Sequence, residues 1–200
     1  MKGSVIIVSF FIIGLIIGRA DLTSLSIESS NLSFYTLCAL MLFVGINIGS
    51  DSKILKSFRA INPRLILLPI VTIIGTLIGS AIISIFIEQR SLTDCLAVGS
   101  GFGYYSLSSI FITEYKGAEL GTVALLSNIL REIITLLLAP FLVKYFGKLA
   151  PISAGGATTM DTTLPIITKY SGQSFVIIAI FHGFVVDLSV PFLVVIFCTL

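Results

Sequence analysis

Four polar side chains occupy one stretch of a segment that is otherwise rich in leucine, isoleucine and valine. The stretch reads SNILREII, and Asn128, Glu132 and Thr135 follow one another at i, i+4 and i+7, which places them on one helix face. Arg131 lies about 100° round the helix from Glu132. A charge in the middle of a membrane segment costs roughly 2.5–3.5 kcal/mol and usually faces a cavity or a partner. We therefore expect Glu132 to bind a cation or exchange protons; the alternative is a structural residue or a contact with Arg131 that locks two helices.

A second set of candidate residues lies where glycine interrupts an apolar run. The run VGSGFGYYSLSSI places Gly99, Gly101 and Gly103 at alternate positions, followed by Tyr104 and Ser106. Glycine costs a helix about 1 kcal/mol relative to alanine. An opened backbone is tolerated in lipid only where it is buried in protein or lines a wet cavity. The run therefore predicts a break that shelters inside the bundle.

A similar interruption lies at Ala150–Tyr170, which reads APISAGGATTMDTTLPIITKY and is too polar for an ordinary spanning helix. Thr159, Asp161 and Thr162 stand between its glycine pair and Pro165. Two breaks that meet near the midplane would offer helix starts to a carboxylate and helix ends to an ammonium group. We predict that Gly99–Gly103 and Gly155–Thr159 are non-helical and approach each other. The alternative is that the glycines only permit close helix packing.

His182 and Asp187 form a third group, in IIAIFHGFVVDLSVP. A spacing of five residues puts them off a common helix face. His182 could relay protons, since an imidazole titrates near physiological pH, or it could hydrogen-bond a neighbouring helix. For Asp187, a pore-lining role and an interface role are equally open.

The elements that must position these residues are membrane helices. Hydrophobic residues make up 56% of the 200 residues, charged residues 11%, and the mean hydropathy is +1.11, whereas a soluble domain carries about 25% charged residues. Lipid offers no partner to an open strand edge, so helices are expected. We predict an all-α integral membrane protein with a single transmembrane domain over residues 1–200. It has about six hydrophobic segments, at 5–18, 32–49, 65–87, 95–113, 120–143 and 175–200, a broken polar segment at 150–170, and two glycine-broken helices that meet near the midplane.

The lysine and arginine residues of the short connections predict the orientation. Ser50–Arg64 is the most basic connection and is expected in the cytoplasm, together with the N-terminus. If 95–113 crosses the membrane fully, Lys144 and Lys148 then lie outside, against the rule. Either the bias is weak there, or a later segment enters the membrane and turns back.

Several function classes find no support in the sequence. The net charge is +2 with no basic patch for nucleic acid, and the three cysteines have neither metal-ligand spacing nor a disulfide pattern. No Walker loop, dinucleotide fingerprint, HExxH or nucleophile elbow is present. We expect no cofactor, no metal and no enzymatic activity. An intramembrane enzyme that uses Ser106, His182 and Asp187 is the weakest alternative, because no nucleophile has a base at recognisable spacing.

Four ordered motifs resemble one family. They are GSGFGYYSLSS, SNILRE, GGATTMDTTLP and HGFVVDLSVP, with weaker agreement in LMLFVGINIG. Over nearly its whole length the chain resembles the lysine exporter (LysO) family of bacterial inner-membrane transporters. The resemblance implies multi-pass insertion in the inner membrane and export of L-lysine and toxic lysine analogues from the cytoplasm. It also implies that Glu132 matches an acidic position in the family's membrane core.

The resemblance also raises questions of partners and energy. Typical members carry additional N-terminal hydrophobic segments, so a small membrane subunit that supplies them, or a homodimer, is expected. Moving a cation outward against an inside-negative potential costs about 2.3 kcal/mol per charge per 100 mV. Proton entry coupled to lysine exit would supply this energy, with Glu132 and Asp161 as the titrating candidates. A cation/proton antiporter, or an exporter of another small amino compound, remains the alternative.

Overall fold

The computed structural model describes residues 63–200. It also describes eight isolated helical positions before them, Ile13, Ile16, Ile17, Arg19, Tyr35, Ala39, Leu42 and Ile46. Apart from these positions, the predicted segments 5–18 and 32–49 lie outside the described residues. Contacts divide the chain into two units, Met1–Asp51 and Ser52–Leu200, and all the helices named below belong to the second unit.

Every element between residues 63 and 200 is a helix. The α-helices are α1 Pro63–Ile66, α2 Leu68–Ser84, α3 Leu92–Gly99, α4 Tyr105–Lys116, α5 Ala118–Phe146, α6 Ala150–Gly155, α7 Leu164–Ser171 and α8 Val176–Thr199, and two 3₁₀ helices span Gly156–Met160 and Gln173–Phe175. Two stretches are long and apolar enough to cross a membrane, Ala118–Phe146 and Gln173–Thr199, and the apolar helix Leu68–Ser84 is shorter. Large aliphatic and aromatic side chains are exposed along all three. Such helices are suited to lipid rather than to water.

Helices α3 and α4 form a hairpin that turns back on itself. Lys116 Nζ lies 3.5 Å from Asp94 Oδ1, and Arg90 pairs with Glu119. A straight helix would separate residues 94 and 116 by about 33 Å at 1.5 Å per residue. The predicted segment 95–113 therefore does not run straight through the molecule. We name Leu92–Lys116 hairpin 1 and its turn, Ser100–Tyr104, tip 1.

The polar segment at 150–170 forms a second hairpin. The Lys148 ammonium, before α6, lies 5.7 Å from the ring centroid of Phe175, after α7. Between them Ile152 and Ile167 pack together in one apolar cluster with residues of α8. We name Ala150–Ser171 hairpin 2 and Gly156–Thr163 tip 2. Much of tip 2 is a 3₁₀ helix, where the sequence predicted a non-helical stretch.

Local signals start the arms of both hairpins. Ser91 caps α3: its hydroxyl accepts a hydrogen bond from the Asp94 N–H at 3.1 Å, and the Asp94 carboxylate accepts one from the Ser91 N–H. Pro151 and Pro165 lie in the first turns of α6 and α7, where a missing N–H costs no helical hydrogen bond. The starting positions of α3, α6 and α7 are thus set by local sequence signals.

The two hairpins enter from opposite ends of the unit. Helix α5 has 29 residues, about 43 Å at 1.5 Å per residue, and runs from the base of hairpin 1 to the base of hairpin 2. Helix α2 starts at Leu68, which packs with Leu65 against the apolar cluster at the base of hairpin 2. The helix then leads to hairpin 1. One helix followed by one hairpin therefore occurs twice, in opposite directions. This is the pattern of an inverted repeat.

Candidate functional site

The tips of the two hairpins touch each other. The Ala157 N–H donates a hydrogen bond to the Phe102 carbonyl at 2.9 Å. Gly156 has φ +63°, and a Cβ there would overlap the Phe102 carbonyl oxygen. A methyl group on Gly103 would lie 3.2 Å from the Gly155 carbonyl oxygen. The backbones of tip 1 and tip 2 are in direct contact here, which only glycine allows. We name this contact the crossing.

Asn128 holds tip 1 against α5. Its Oδ1 accepts a hydrogen bond from the Gly103 N–H at 2.7 Å, and its Nδ2 donates to the Ala124 carbonyl at 2.9 Å. Nδ2 also lies 3.4 Å from Ser108 Oγ, and a Cβ on Gly101 would overlap the amide. The side chain is 4% exposed. Asn128 is therefore part of the scaffold that fixes tip 1.

Arg131 joins hairpin 2 to the rest of the unit. Its Nε donates to the Ala154 carbonyl at 2.8 Å and its Nη2 to the Ser153 carbonyl at 3.1 Å. Both Nη atoms lie 3.4 Å from Thr76 Oγ1, and the guanidinium is 5.9 Å from the Phe102 ring centroid. The last carbonyls of a helix carry partial negative charge and attract a cation. A half-buried arginine is thus satisfied here without a carboxylate.

Glu132 is left with a free carboxylate at half-height. It is the fifteenth of the 29 residues of α5 and is partly exposed. Within the described residues it makes no hydrogen bond or ion pair, and Arg131 bonds elsewhere. The Thr135 hydroxyl donates to the Arg131 carbonyl at 2.9 Å and is buried. Of the predicted polar face, Glu132 alone keeps an open functional group, since Asn128 and Thr135 are engaged in structure.

His182 ties three helices together. Its Nε2 lies 2.9 Å from Thr72 Oγ1 on α2, and its Nδ1 lies 3.3 Å from Thr159 Oγ1 in the 3₁₀ helix. Thr159 Oγ1 also lies 2.9 Å from the Ala179 carbonyl oxygen. Both His182 and Thr159 are fully buried. This is the geometry of a histidine that bonds neighbouring helices, one of the two roles that the sequence left open.

Acidic and phenolic groups from both tips lie close together. Tyr104 is in tip 1 and Asp161 is in tip 2, and the two tips touch through Phe102 and Ala157. Asp187 lies one turn after Gly183, where α8 packs on Met160 of tip 2. Asp161 and Thr162 are exposed, and Asp161 Oδ1 accepts a hydrogen bond from the Thr162 N–H at 2.6 Å. Ser106 is exposed in the first turn of α4. The fold therefore assembles Tyr104, Asp161 and Asp187 from three separate segments.

Sequence reasoning missed the hydroxyl groups on α2. The Thr72 hydroxyl lies 2.9 Å from Nε2 of His182, and the Thr76 hydroxyl lies 3.4 Å from the guanidinium of Arg131. They stand at i and i+4 in a helix of isoleucine and leucine, so they share one face. That spacing is the signal that could have identified them.

A cleft lies between α2, α3 and α5. Its volume is about 460 Å³, and it reaches from Arg90 and Asp94 at the base of hairpin 1 to Thr76 and Gly99 beside the tips. Most of its other lining is apolar. The cleft gives one end of the unit a route toward the crossing.

Comparison with known proteins places the chain in a family. The family described as Lysine exporter LysO matches residues 8–198. The Escherichia coli protein named Lysine exporter LysO is 37% identical over 186 residues, which is 93% of this chain and 61% of that protein. The Haemophilus influenzae protein named Putative lysine exporter is 35% identical over 191 residues, 96% of each chain. The chain thus spans about three fifths of the length of its E. coli relative, and no solved structure matches it. It belongs to the lysine exporter LysO family.

Proposed function

We propose that the chain exports L-lysine and toxic lysine analogues from the cytoplasm across the bacterial inner membrane in exchange for protons. Family membership and the names of the relatives support the substrate. The observation that supports the mechanism is the meeting of two hairpin tips in a unit that also holds carboxylates that no cation neutralises in the described part of the chain. Glu132 and Asp161 are those carboxylates.

The crossing offers complementary groups for an amino acid with a cationic side chain. The first turn of α4, at Tyr105 and Ser106, presents backbone N–H groups that suit a carboxylate. Asp161 and Glu132 suit an ammonium group. Two inverted units that meet at such a crossing are the framework on which alternating access operates in many secondary transporters. The crossing is the proposed binding position, near the membrane midplane.

Proton exchange follows from the energetics of moving lysine outward. A lysine cation leaving against an inside-negative potential costs about 2.3 kcal/mol per 100 mV. One proton entering for each lysine leaving makes the cycle electroneutral and adds the proton gradient as driving force. A carboxylate that holds the ammonium when ionised and releases it when protonated is the minimal coupling device. Glu132 fills this role because its carboxylate has no competing partner among the described residues.

The hairpins also suggest an orientation. Lys144, Lys148 and Lys169 lie at the base of hairpin 2, and the basic connection Ser50–Arg64 leads into α2 at that end. Placing this end in the cytoplasm satisfies the positive-inside rule for all of these residues. The conflict found in the sequence disappears because 95–113 turns back. The N-terminus is then cytoplasmic if both earlier segments cross the membrane.

The proposal is tested in a bacterial strain that lacks its own lysine exporters. The chain is expressed alone and together with any small hydrophobic protein encoded beside it. We expect resistance to a toxic lysine analogue, and accumulation of radiolabelled lysine in inside-out vesicles that a protonophore abolishes. Absence of both effects in both combinations contradicts lysine export. Proton flux driven by sodium or potassium, but not by lysine, would instead support the cation/proton antiporter.

A further inference from the structure

Asp187 is a buried carboxylate for which the fold supplies no partner. It is the twelfth of the 24 residues of α8 and is 6% exposed. It makes no hydrogen bond or ion pair with the part of the chain that the structure describes. A buried charge without a partner is costly, and inside a membrane helix it usually marks a functional position.

The carboxylate of Asp187 is buried but not fully enclosed. Among the described residues, the Ser171 hydroxyl is the only fully enclosed side-chain polar atom without a hydrogen-bond partner. The unpaired oxygens of Asp187 are therefore not fully enclosed. Gly183, one turn before Asp187 on the same face of α8, packs on Thr159 and Met160 of tip 2, and α8 also packs on α4, which begins at tip 1. Asp187 thus faces the crossing of the tips.

Pro191 interrupts the hydrogen bonding of α8 near the same position. It lies inside α8, four residues after Asp187. Proline has no N–H, so it cannot donate the helical hydrogen bond to the Asp187 carbonyl. The nearby Ser189 hydroxyl donates to the Val186 carbonyl at 2.6 Å instead. Pro191 therefore weakens the helical hydrogen bonding of α8 beside Asp187.

We propose that Asp187 is a substrate-binding residue, which with Asp161 and the Tyr104 hydroxyl surrounds the side-chain ammonium of the transported amino acid. An ammonium group has three N–H donors and no acceptor, and this position offers only acceptors and one phenol. The ion pairs of the described residues lie at the base of hairpin 1, so they do not compensate these acids. The inference rests on the proposed function and specifies which group of the substrate binds where.

The first test compares Asp187→Asn and Asp187→Glu with the unchanged chain in the inside-out vesicle assay. Losing a charged hydrogen-bond partner raises the KM for lysine by about ten-fold or more for Asp187→Asn. Asp187→Glu, which keeps the charge, recovers part of the loss. The matched control is Glu119→Gln, because the Glu119 side chain is largely exposed at the base of hairpin 1 and does not line the cleft. An unchanged KM for Asp187→Asn, or a fall in maximal rate alone, overturns the proposal.

A second variant guards against loss of folding. Asp187→Cys is introduced after Cys38, Cys95 and Cys198 are replaced by alanine. Its modification by a sulfonate-bearing methanethiosulfonate is followed in membranes. Lysine at about 100 times the KM of the unchanged chain, which still saturates a site weakened about ten-fold, should slow the modification, and the same concentration of leucine should not. Equal modification rates with both amino acids overturn the role of Asp187, whereas failure of the unchanged chain to move lysine overturns the proposed function itself.

Discussion

At the scale of single residues, the charged groups of the core are segregated. Arg131 is satisfied by the Ser153 and Ala154 carbonyls and the Thr76 hydroxyl. Glu132, the next residue, is left unpaired within the described chain. If Arg131 had instead paired with Glu132, the cation would compete with any substrate for the carboxylate. Because Arg131 binds the last carbonyls of α6, the Glu132 carboxylate remains available to a substrate or a proton.

The substitution Glu132→Gln tests this assignment. It preserves size and hydrogen bonding but removes titration. We expect lysine export to fall by about ten-fold or more, or to lose its dependence on pH, while the amount of inserted protein stays the same. Transport in vesicles at several pH values measures both effects.

Glu119→Gln is the matched control, since Glu119 pairs with Arg90 at the base of hairpin 1 and its side chain is largely exposed. That variant should transport normally. Equal export and an equal pH response for Glu132→Gln and the unchanged chain would make Glu132 a structural residue and leave Asp161 as the coupling candidate.

At the scale of elements, the crossing depends on backbones that pack without side chains between them. Tip 2 contacts tip 1 through Ala157 and Phe102. It also packs on α8, where a Cβ on Gly183 would lie 2.7 Å from the Met160 backbone nitrogen. The 3₁₀ helix is thus held from two sides.

Gly156→Ala should destabilise the protein by more than the cost of placing alanine at a positive φ. A non-glycine residue in such a conformation costs about 1–3 kcal/mol, and the added Cβ would also overlap the Phe102 carbonyl oxygen. We expect a melting temperature several degrees lower than that of the control, and loss of export. Thermal unfolding in detergent and vesicle transport measure the two effects.

The control is Gly172→Ala. Gly172 also has positive φ, +104°, but nothing lies within 4 Å of a Cβ built there. It should show only the conformational cost and keep its export. If both variants are equally stable and equally active, the contact between the tips does not matter for function.

At the scale of the whole unit, the two hairpins enter from opposite ends. Their directions determine which loops lie on the same side of the membrane. The residues before and after hairpin 1 belong to one end, and those before and after hairpin 2 belong to the other. This arrangement makes the lysines at 144, 148 and 169 neighbours of the same aqueous phase. The family relationship concerns sequence, and the inverted arrangement is what the structure adds to it.

Single cysteines in a chain without native cysteines test this arrangement. We expect Glu88→Cys and Ala118→Cys to react with an impermeant maleimide from one side of the membrane, and Lys148→Cys and Gln173→Cys from the other. All four positions are exposed. Right-side-out and inside-out vesicles distinguish the sides. Labelling of positions 88 and 118 from opposite sides would mean that 92–116 crosses the membrane and is not a hairpin.

The sequence by itself determined the class of protein and the family. Its shortage of charged residues requires lipid as the solvent, and lipid requires helices. The motifs around Gly101, Glu132 and Asp161 indicated the LysO family, which the comparisons confirm. The break before Tyr104 was recognisable because alternating glycines weaken a helix, but the second stretch, predicted to be non-helical, is largely a 3₁₀ helix. Proton coupling, the number of crossings and the partner subunit remain predictions.

Only the tertiary structure determined where the chain reverses and which side chains pair. The glycines at 101 and 103 interrupt the helix, but they do not decide that the chain reverses there; the reversal appears in the contact of Asp94 with Lys116, 22 residues apart. The choice of Arg131 between Glu132 and the end of α6 likewise depends on where hairpin 2 lies. His182 reaches Thr72 through packing of segments 110 residues apart. Periodicity describes one helix at a time, and these three outcomes are set by contacts between helices.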